Sequence, residues 1–278
     1  MNNIDQKSPK LAAYLERIGF YGTARPDLET LRELQRTHVR AVPFENLDVQ
    51  LHRPVGLDLD TCFDKIVRQR RGGWCFELNG LLDWALREIG FDVARTSAGV
   101  MREHLGDVQM GNHLCLLVRI DRLYLVDVGF GGSLSHPLPL EVSGHDHSPY
   151  HVTLTEMGDG YWRFSERAHG EPFSFDFFIG TADETRFAEK CSVLQTSLDS
   201  PFVQNLVVQR RTGDTHLSLR GRVLTTLRKT GEEKIKLASV DEFVAALRDR
   251  FDLDVPEAAT LWPAICARHD ALFKDSES

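Results

Sequence analysis

The hydrophobic residues of this chain change their period about a third of the way along, and such a chain must pack a helical part against a sheet part. Up to Gly90 the apolar side chains recur at helical spacing. Leu11, Leu15 and Ile18 form one stripe, with Gly22 soon after it. Leu28, Leu31 and Leu34 form a second, which Asp27 is placed to cap. Asp60 is placed to cap a third helix over 61–70, with Phe63, Ile66 and Val67, which Gly72-Gly73 would break. A fourth runs over 75–89, burying Phe76, Leu82, Leu86 and Ile89 and stopping at Gly90. Further on the period shortens. Residues 113–120 and 123–128 are apolar runs parted by a short polar turn, a hairpin pattern. Residues 150–157 and 161–166 flank Gly158-Asp159-Gly160, a second hairpin, and 173–178 predicts another strand. Together these predict a small antiparallel barrel or sheet. Residues 135–150, rich in Pro, His, Gly and Ser, predict a surface loop. A connecting helix is expected over 182–196, then strands near 207–211, 216–219, 222–227 and 234–238. Ser239-Val240-Asp241-Glu242 opens a further helix as a capping box, and a last one starts near Pro256. The fold class is α+β.

At 278 residues the chain exceeds what one core usually fills, so two or three subdomains are expected. A net charge of −8 argues against a surface dedicated to nucleic acid. The one basic run, Arg68-Gln69-Arg70-Arg71, reads as a solvated helix end. Residues 1–7 are polar and lack the apolar stretch of a secretion signal. No segment approaches the roughly 20 apolar residues that span a bilayer, so no membrane partner is expected and the chain is read as cytoplasmic. Five cysteines (Cys62, Cys75, Cys115, Cys191, Cys266) show no metal-ligand spacing, and an odd number in a reducing compartment points to free thiols. No sequence feature names an interface; a homodimer remains open.

The segment Arg70-Arg71-Gly72-Gly73-Trp74-Cys75-Phe76-Glu77-Leu78-Asn79-Gly80 carries the most chemistry. Two glycines let the backbone turn sharply and let a substrate come close. The cysteine then opens a helix, where unpaired amides and the dipole favour an anion. A thiol in such a place, particularly beside an imidazolium, is converted to the reactive thiolate near neutral pH. The plain alternative is a cysteine that only packs a helix start; a base and an orienting carboxylate elsewhere decide between the two.

Eleven histidines are present, and His136, His145, His147 and His151 lie in or beside the predicted loop. Their spacing is irregular and no cysteine joins them, which argues against a metal centre. His113 differs, because it opens the apolar strand His113-Leu114-Cys115-Leu116-Leu117-Val118. Asp127 is the second anomaly, a carboxylate within Leu123-Tyr124-Leu125-Val126-Asp127-Val128 that needs a partner once buried. Parity tests their pairing. With a two-residue turn at Asp121-Arg122, facing residues sum to 243 and His113 points away from Asp127. A three-residue loop or a bulge puts both on one face as diagonal neighbours, within about 7–8 Å. An odd loop or a bulge is therefore expected. Cys, His and Asp would then act as nucleophile, base and orienting carboxylate.

The stretch Arg71-Gly72-Gly73-Trp74-Cys75-Phe76-Glu77-Leu78-Asn79 resembles the signature of the arylamine N-acetyltransferases. Four further stretches resemble that family in the same order: Val42-Pro43-Phe44-Glu45-Asn46-Leu47, Gly111-Asn112-His113-Leu114, Val126-Asp127-Val128-Gly129-Phe130-Gly131-Gly132 and Ser200-Pro201-Phe202-Val203-Gln204-Asn205. The resemblance implies an N-terminal helical bundle (1–91), a central antiparallel β-barrel with a connecting helix (92–197) and a C-terminal α/β lid (198–278). It implies a Cys75, His113, Asp127 triad and a ping-pong transfer from acetyl-CoA, through acetyl-Cys75, to an arylamine or arylhydrazine nitrogen. It implies that Phe44, Phe130 and Phe202 line the acceptor pocket, though each also reads as a plain core aromatic. Gly129, Gly131 and Gly132 are placed by it near the thioester oxyanion or the CoA phosphates. Arg71, Glu45 and Glu77 resemble a supporting ion-pair network. Three competitors stay open: an amide synthase fed by a carrier-bound polyketide acyl group, a thiol hydrolase or transglutaminase-like enzyme, and a non-catalytic binding module.

Overall fold

Helix α1 (Pro9–Ile18) starts where Ser8 Oγ accepts from Leu11 N at 3.2 Å and ends at Gly19 with φ 74°. Helix α2 (Leu28–Ala41) has the expected cap, Asp27 accepting from Thr30 N at 2.8 Å. A two-residue strand β1 (Phe44–Glu45) and a single turn α3 (Leu47–Gln50) follow. These belong to a computed structural model that describes residues 8–180 and 182–273; the polar stretch 1–7 lies outside them.

The third expected helix departs from its prediction. Helix α4 (Leu59–Phe63) is capped by Asp58, which accepts from Thr61 N at 2.9 Å, and Asp60 lies inside it. The chain then widens into a π turn over Asp64–Arg68. The buried Arg17 guanidinium fastens this turn from α1, donating to Ile66 O and Ala41 O, each at 2.9 Å. The wider turn aims Lys65 inward, an arrangement that apolar spacing does not announce. Helix α5 (Cys75–Ile89) has the predicted bounds, with Gly90 at φ 104° ending it.

An eight-stranded antiparallel sheet follows. Its strands are β2 (Asp92–Val100), β3 (His113–Arg119), β4 (Leu123–Val126), β5 (Leu138–Pro139), β6 (Ser143–His147), β7 (Tyr150–Glu156), β8 (Tyr161–Arg167) and β9 (Phe173–Phe178). Their order is β5-β4-β3-β2-β9-β8-β7-β6, a curled half-barrel with β5 and β6 as its edges. Sequence reasoning missed β2, whose Arg95-Thr96-Ser97 hides the alternation. It also took β5 and β6 for loop. Strand β6 pairs with β7 through five residue pairs, but its sequence Ser-Gly-His-Asp-His carries no apolar alternation. The interior is aromatic, with Phe164, Phe175 and Phe177 almost wholly buried.

A short helix α6 (Arg102–Leu105) interrupts the chain between β2 and β3. Beyond the half-barrel lie α7 (Glu184–Thr196), α8 (Pro201–Gln204), β10 (Val207–Thr212), β11 (Thr215–Arg220), β12 (Val223–Arg228), β13 (Gly231–Lys236), α9 (Val240–Phe251) and, after a 3-10 segment over Pro256–Leu261, α10 (Trp262–Phe273). The second sheet has the order β1-β10-β11-β12-β13. Phe44 faces Gln209 and Glu45 faces Val208, so the C-terminal sheet is extended by a strand from the helical part. That stitching puts Phe44, α5 and the loop after β4 around one centre. Among the described residues no helix is long and apolar enough to cross a membrane.

Candidate active site

Cys75 is the first residue of α5 and is buried. Its position is set by a tight crossing just before it. Gly73 bridges Phe44 in parallel, Glu45 N donating to Gly73 O at 2.9 Å and Gly73 N to Pro43 O at 3.3 Å. A Cβ on Gly72 would lie 2.2 Å from Pro43 O, and one on Gly73 would lie 2.9 Å from Glu77 Oε2. The two glycines thus admit the chain's own β1 segment and the Glu77 carboxylate, where sequence reasoning had assigned them to a sharp turn and substrate approach. Glu77 Oε2 accepts from Trp74 N at 3.1 Å and so caps the helix start.

The β3–β4 hairpin has the expected odd loop. Arg119 faces Leu123, leaving residues 120–122 in the turn, and Leu116 faces Val126. His113 and Asp127 therefore share a face, and His113 Nε2 donates to Asp127 Oδ2 at 2.6 Å. The Cys75 thiol also raises the pKa of this imidazole and so lies near it, while Cys75 Sγ stands 3.9 Å from Asn112 O, to which it donates. With Nε2 committed to the carboxylate, Nδ1 is the nitrogen left for the thiol. The three side chains singled out in the sequence stand in one row, with His113 and Asp127 hydrogen-bonded, and all are nearly inaccessible.

Asn79 completes the row and was not singled out. One helical turn after Cys75, its Nδ2 donates to Asp127 Oδ1 at 2.8 Å and to Leu114 O at 2.6 Å, and its Oδ1 accepts from Val128 N at 2.9 Å. Gly129 N also donates to Asp127 Oδ1, at 2.7 Å. From α2 the buried Gln35 donates to Asp127 O at 3.3 Å and Leu134 O at 2.8 Å. Burial alone would lower the His113 pKa, but the Asp127 carboxylate and the hydrogen bonds to Asp127 and Cys75 outweigh it and raise it to about 10. The imidazole is thus held as imidazolium at neutral pH. Other thiols lack such a partner. Burial pushes Cys62 and Cys191 up to about 12 and Cys115 well above its ordinary value.

A family model described as N-acetyltransferase matches residues 27–260. An arylamine N-acetyltransferase of Mycolicibacterium smegmatis is 38% identical over 260 residues, 90% of this chain and 94% of that protein. The chain belongs to the arylamine N-acetyltransferase family. A solved Mycobacterium marinum arylamine N-acetyltransferase superposes with a TM-score of 0.85 at 32% identity, covering 92% of this chain and 98% of the other. The M. marinum protein has also been solved in complex with CoA, and that structure matches with a TM-score of 0.83, again at 32% identity and covering 92% and 98%. The protein is accordingly an acyltransferase.

Aromatic residues of this acyltransferase gather in two groups beside the row. Phe202 lies 6.3 Å from Phe44 and 5.5 Å from Trp74, ring to ring. Phe130 packs against His113 at 5.4 Å and Phe175 at 4.9 Å, and stacks on Phe173 at 5.1 Å. Phe173 and Phe175 went unremarked in the sequence because a strand aromatic there reads as core. The glycines after Asp127 are closely packed. A Cβ on Gly129 would lie 2.5 Å from Cys75 Cα, and one on Gly131 2.2 Å from Gln209 Oε1. Gly131 O accepts from His216 Nε2 at 2.7 Å, and Arg211 donates to Gly132 O at 3.0 Å. The C-terminal sheet therefore grips the loop that follows Asp127.

Behind the Cys75 helix start lies a buried set of charges. Arg71 pairs with Glu45 at 2.8 Å and Asp48 at 3.1 Å, and Lys65 pairs with Asp48 at 2.7 Å and Glu77 at 2.9 Å. Arg71 is thus buried, unlike the exposed Arg68 and Arg70 of the same run. Burial opposes ionisation of Asp48, yet Lys65 and Arg71 hold its carboxyl below the usual range. For Glu77, burial outweighs Lys65 and raises it. Lys65 and Asp48 had no mark in the sequence, since both lie on polar stretches.

Proposed function

We propose that the enzyme transfers an acetyl group from acetyl-CoA to the nitrogen of an arylamine or arylhydrazine in two steps, through a thioester on Cys75. The observation that carries the proposal is the single imidazole that is hydrogen-bonded to Asp127, at 2.6 Å, and interacts with the Cys75 thiol. In the first step the Cys75 thiolate attacks the acetyl carbonyl, the bond from carbon to the CoA sulfur breaks, and CoA leaves with a proton from His113. In the second the amine nitrogen attacks the thioester, His113 takes its proton, and the Cys75 thiolate departs. Asp127 keeps the ring oriented and offsets its charge. The Cys75 amide, at the helix start, is a natural donor to the tetrahedral oxyanion.

We further assign Phe44, Phe130 and Phe202 to the acceptor pocket and Gly129, Gly131 and Gly132 to the acetyl-CoA side. The Gly129 amide is already given to Asp127, so its contribution there would be close approach alone. The reading goes with a proposed division into 1–91, 92–197 and 198–278, in which nucleophile, base and covering segment come from three parts. The proposed setting is the cytoplasm, with aromatic xenobiotics as acceptors.

The test is intact-mass measurement after mixing with acetyl-CoA. One acetyl group should appear on Cys75, be absent in Cys75→Ala, and disappear on adding an arylamine as the N-acetyl product forms. A protein that never acquires the adduct, or loses it equally fast to water, would favour the carrier-dependent amide synthase or the hydrolase.

A further inference from the structure

The segment between Asp127 and strand β5 has no hydrogen-bonded frame of its own. Among the described residues, no backbone-to-backbone hydrogen bond starts or ends on residues 129–134. Gly131 and Gly132 lie in the left-handed region, at φ 86° and 94°. Buried backbone groups are ordinarily paired within turns or ladders, so a segment without such pairs takes its shape from the side chains that hold it. Two of its contacts reach the candidate triad. The Gly129 amide donates to Asp127 Oδ1 at 2.7 Å, and the Phe130 ring lies 5.4 Å from that of His113.

The second sheet supplies the hold. Arg211 of β10 faces His216 of β11, so the two side chains stand together on one surface. Arg211 donates to Gly132 O at 3.0 Å and Ser133 O at 3.3 Å, but also to His147 O at 2.9 Å and Gly213 O at 2.8 Å. Its loss would disturb far more than the segment. His216 is more selective, since its Nε2 donates to Gly131 O alone, at 2.7 Å. Its partners reveal its tautomer. A carbonyl only accepts, so Nε2 carries a proton. Burial keeps the ring neutral, so Nδ1 is bare, and the Tyr150 hydroxyl donates to it at 2.8 Å. Burial also raises Tyr150 and keeps that hydroxyl protonated. A tyrosine of the half-barrel thus sets an imidazole of the second sheet as a donor to the segment after Asp127.

We propose that His216 is a positioning residue for acyl transfer: through Gly131 O it keeps the Gly129 amide on Asp127 and the Phe130 ring against His113, and Tyr150 fixes the tautomer that does so. The inference rests on the acyl-transfer reading above. Asp127 Oδ1 has two side-on donors, Asn79 Nδ2 and Gly129 N, and only the second depends on the segment. Losing the hold should therefore slow the reaction without abolishing it.

Rapid-quench measurement of acetyl loading on Cys75 tests this in wild type, His216→Leu, His216→Gln, Tyr150→Phe and the Tyr150→Phe/His216→Leu double variant. His216→Leu should load about tenfold more slowly at saturating acetyl-CoA, with KM held and one acetyl group per chain still reached at the end. His216→Gln, whose amide can donate to Gly131 O, should recover most of the rate. Tyr150→Phe should slow loading by about threefold alone and add nothing to His216→Leu, because it acts only through that imidazole. A His216→Leu enzyme that loads at the wild-type rate overturns the proposal. So does one that falls short in final acetyl content with its rate constant unchanged, which is the mark of a merely structural residue, or one altered in KM alone. If His216→Leu does not fold, Tyr150→Phe decides: loading at the wild-type rate overturns the proposal. Absence of acetyl-Cys75 in wild type defeats the acyl-transfer reading itself, a different failure from normal loading that ignores His216.

Discussion

Asp127 spends both carboxylate oxygens on the site, Oδ2 on His113 and Oδ1 on Asn79 and the Gly129 amide. Removing the Asn79 amide leaves Oδ1 with one donor and leaves Val128 N and Leu114 O without their partner. Losing a hydrogen bond to a buried charged group costs about 1.5–3 kcal/mol, which in a rate is roughly 10–100-fold. Asn79→Ala should therefore slow acetyl loading of Cys75 by about that factor while KM for acetyl-CoA moves little. Rapid-quench measurement of the first half-reaction checks it, and a change under threefold would deny Asn79 an orienting role. Cys75, His113 and Asp127 were legible because each breaks a local rule: a thiol at a helix start, an imidazole and a carboxylate inside apolar strands. Asn79 breaks none. Its only signal was its place four residues after Cys75, on the same helix face.

The π turn over Asp64–Arg68 and the bridge from Gly73 to Phe44 deliver charges to the back of α5. Lys65 stands between Asp48 and Glu77, with its ammonium at 2.7 and 2.9 Å from the two carboxylates. Lys65→Met keeps the stem's packing but strands Glu77, which caps the helix that begins with Cys75. Breaking a buried pair from one side costs about 3–5 kcal/mol. Urea unfolding of Lys65→Met should show a loss of that size, and a loss under about 1 kcal/mol would mean that water already screens the set. Elements with a strong period were readable, as α5 shows with its predicted bounds. Strands β2 and β6 were not: β2 buries the polar Thr96 and exposes Ala94, and β6 is polar over most of its length, so neither leaves an alternation to read. The start of α4 was misplaced by two residues because Asp58 and Asp60 are equally able caps, and only the fold selects one.

The molecule as a whole is held by pairings between distant parts, β1 with β10 above all. A two-residue strand whose partner lies far along the chain carries no sequence signal, so the α+β plan, helices first and then antiparallel strands, was legible while its stitching was not. The same long-range burial hides histidines in all three parts. Burial lowers His38 to about 3, His147 to about 3 and His216 to about 4. Each gains a proton only in the unfolded chain once pH falls below about 6.5, so each subtracts stability there. His136 is shifted the same way. His113 runs opposite: raised to about 10, its contribution is full below the unfolded value of 6.5 and is lost as pH rises through about 10. His38, His147 and His216 each take away about 1.3 kcal/mol between pH 7 and pH 5.5, while His113 and Glu166, whose carboxyl burial raises to about 8, bind protons more tightly folded than unfolded and offset most of that sum. Urea unfolding at constant ionic strength should therefore show His38→Gln, whose replacement cannot ionise, losing about 1.3 kcal/mol less than wild type over the same range. A His38→Gln protein that loses as much as wild type on acidification would mean that this imidazole reaches water in the folded protein.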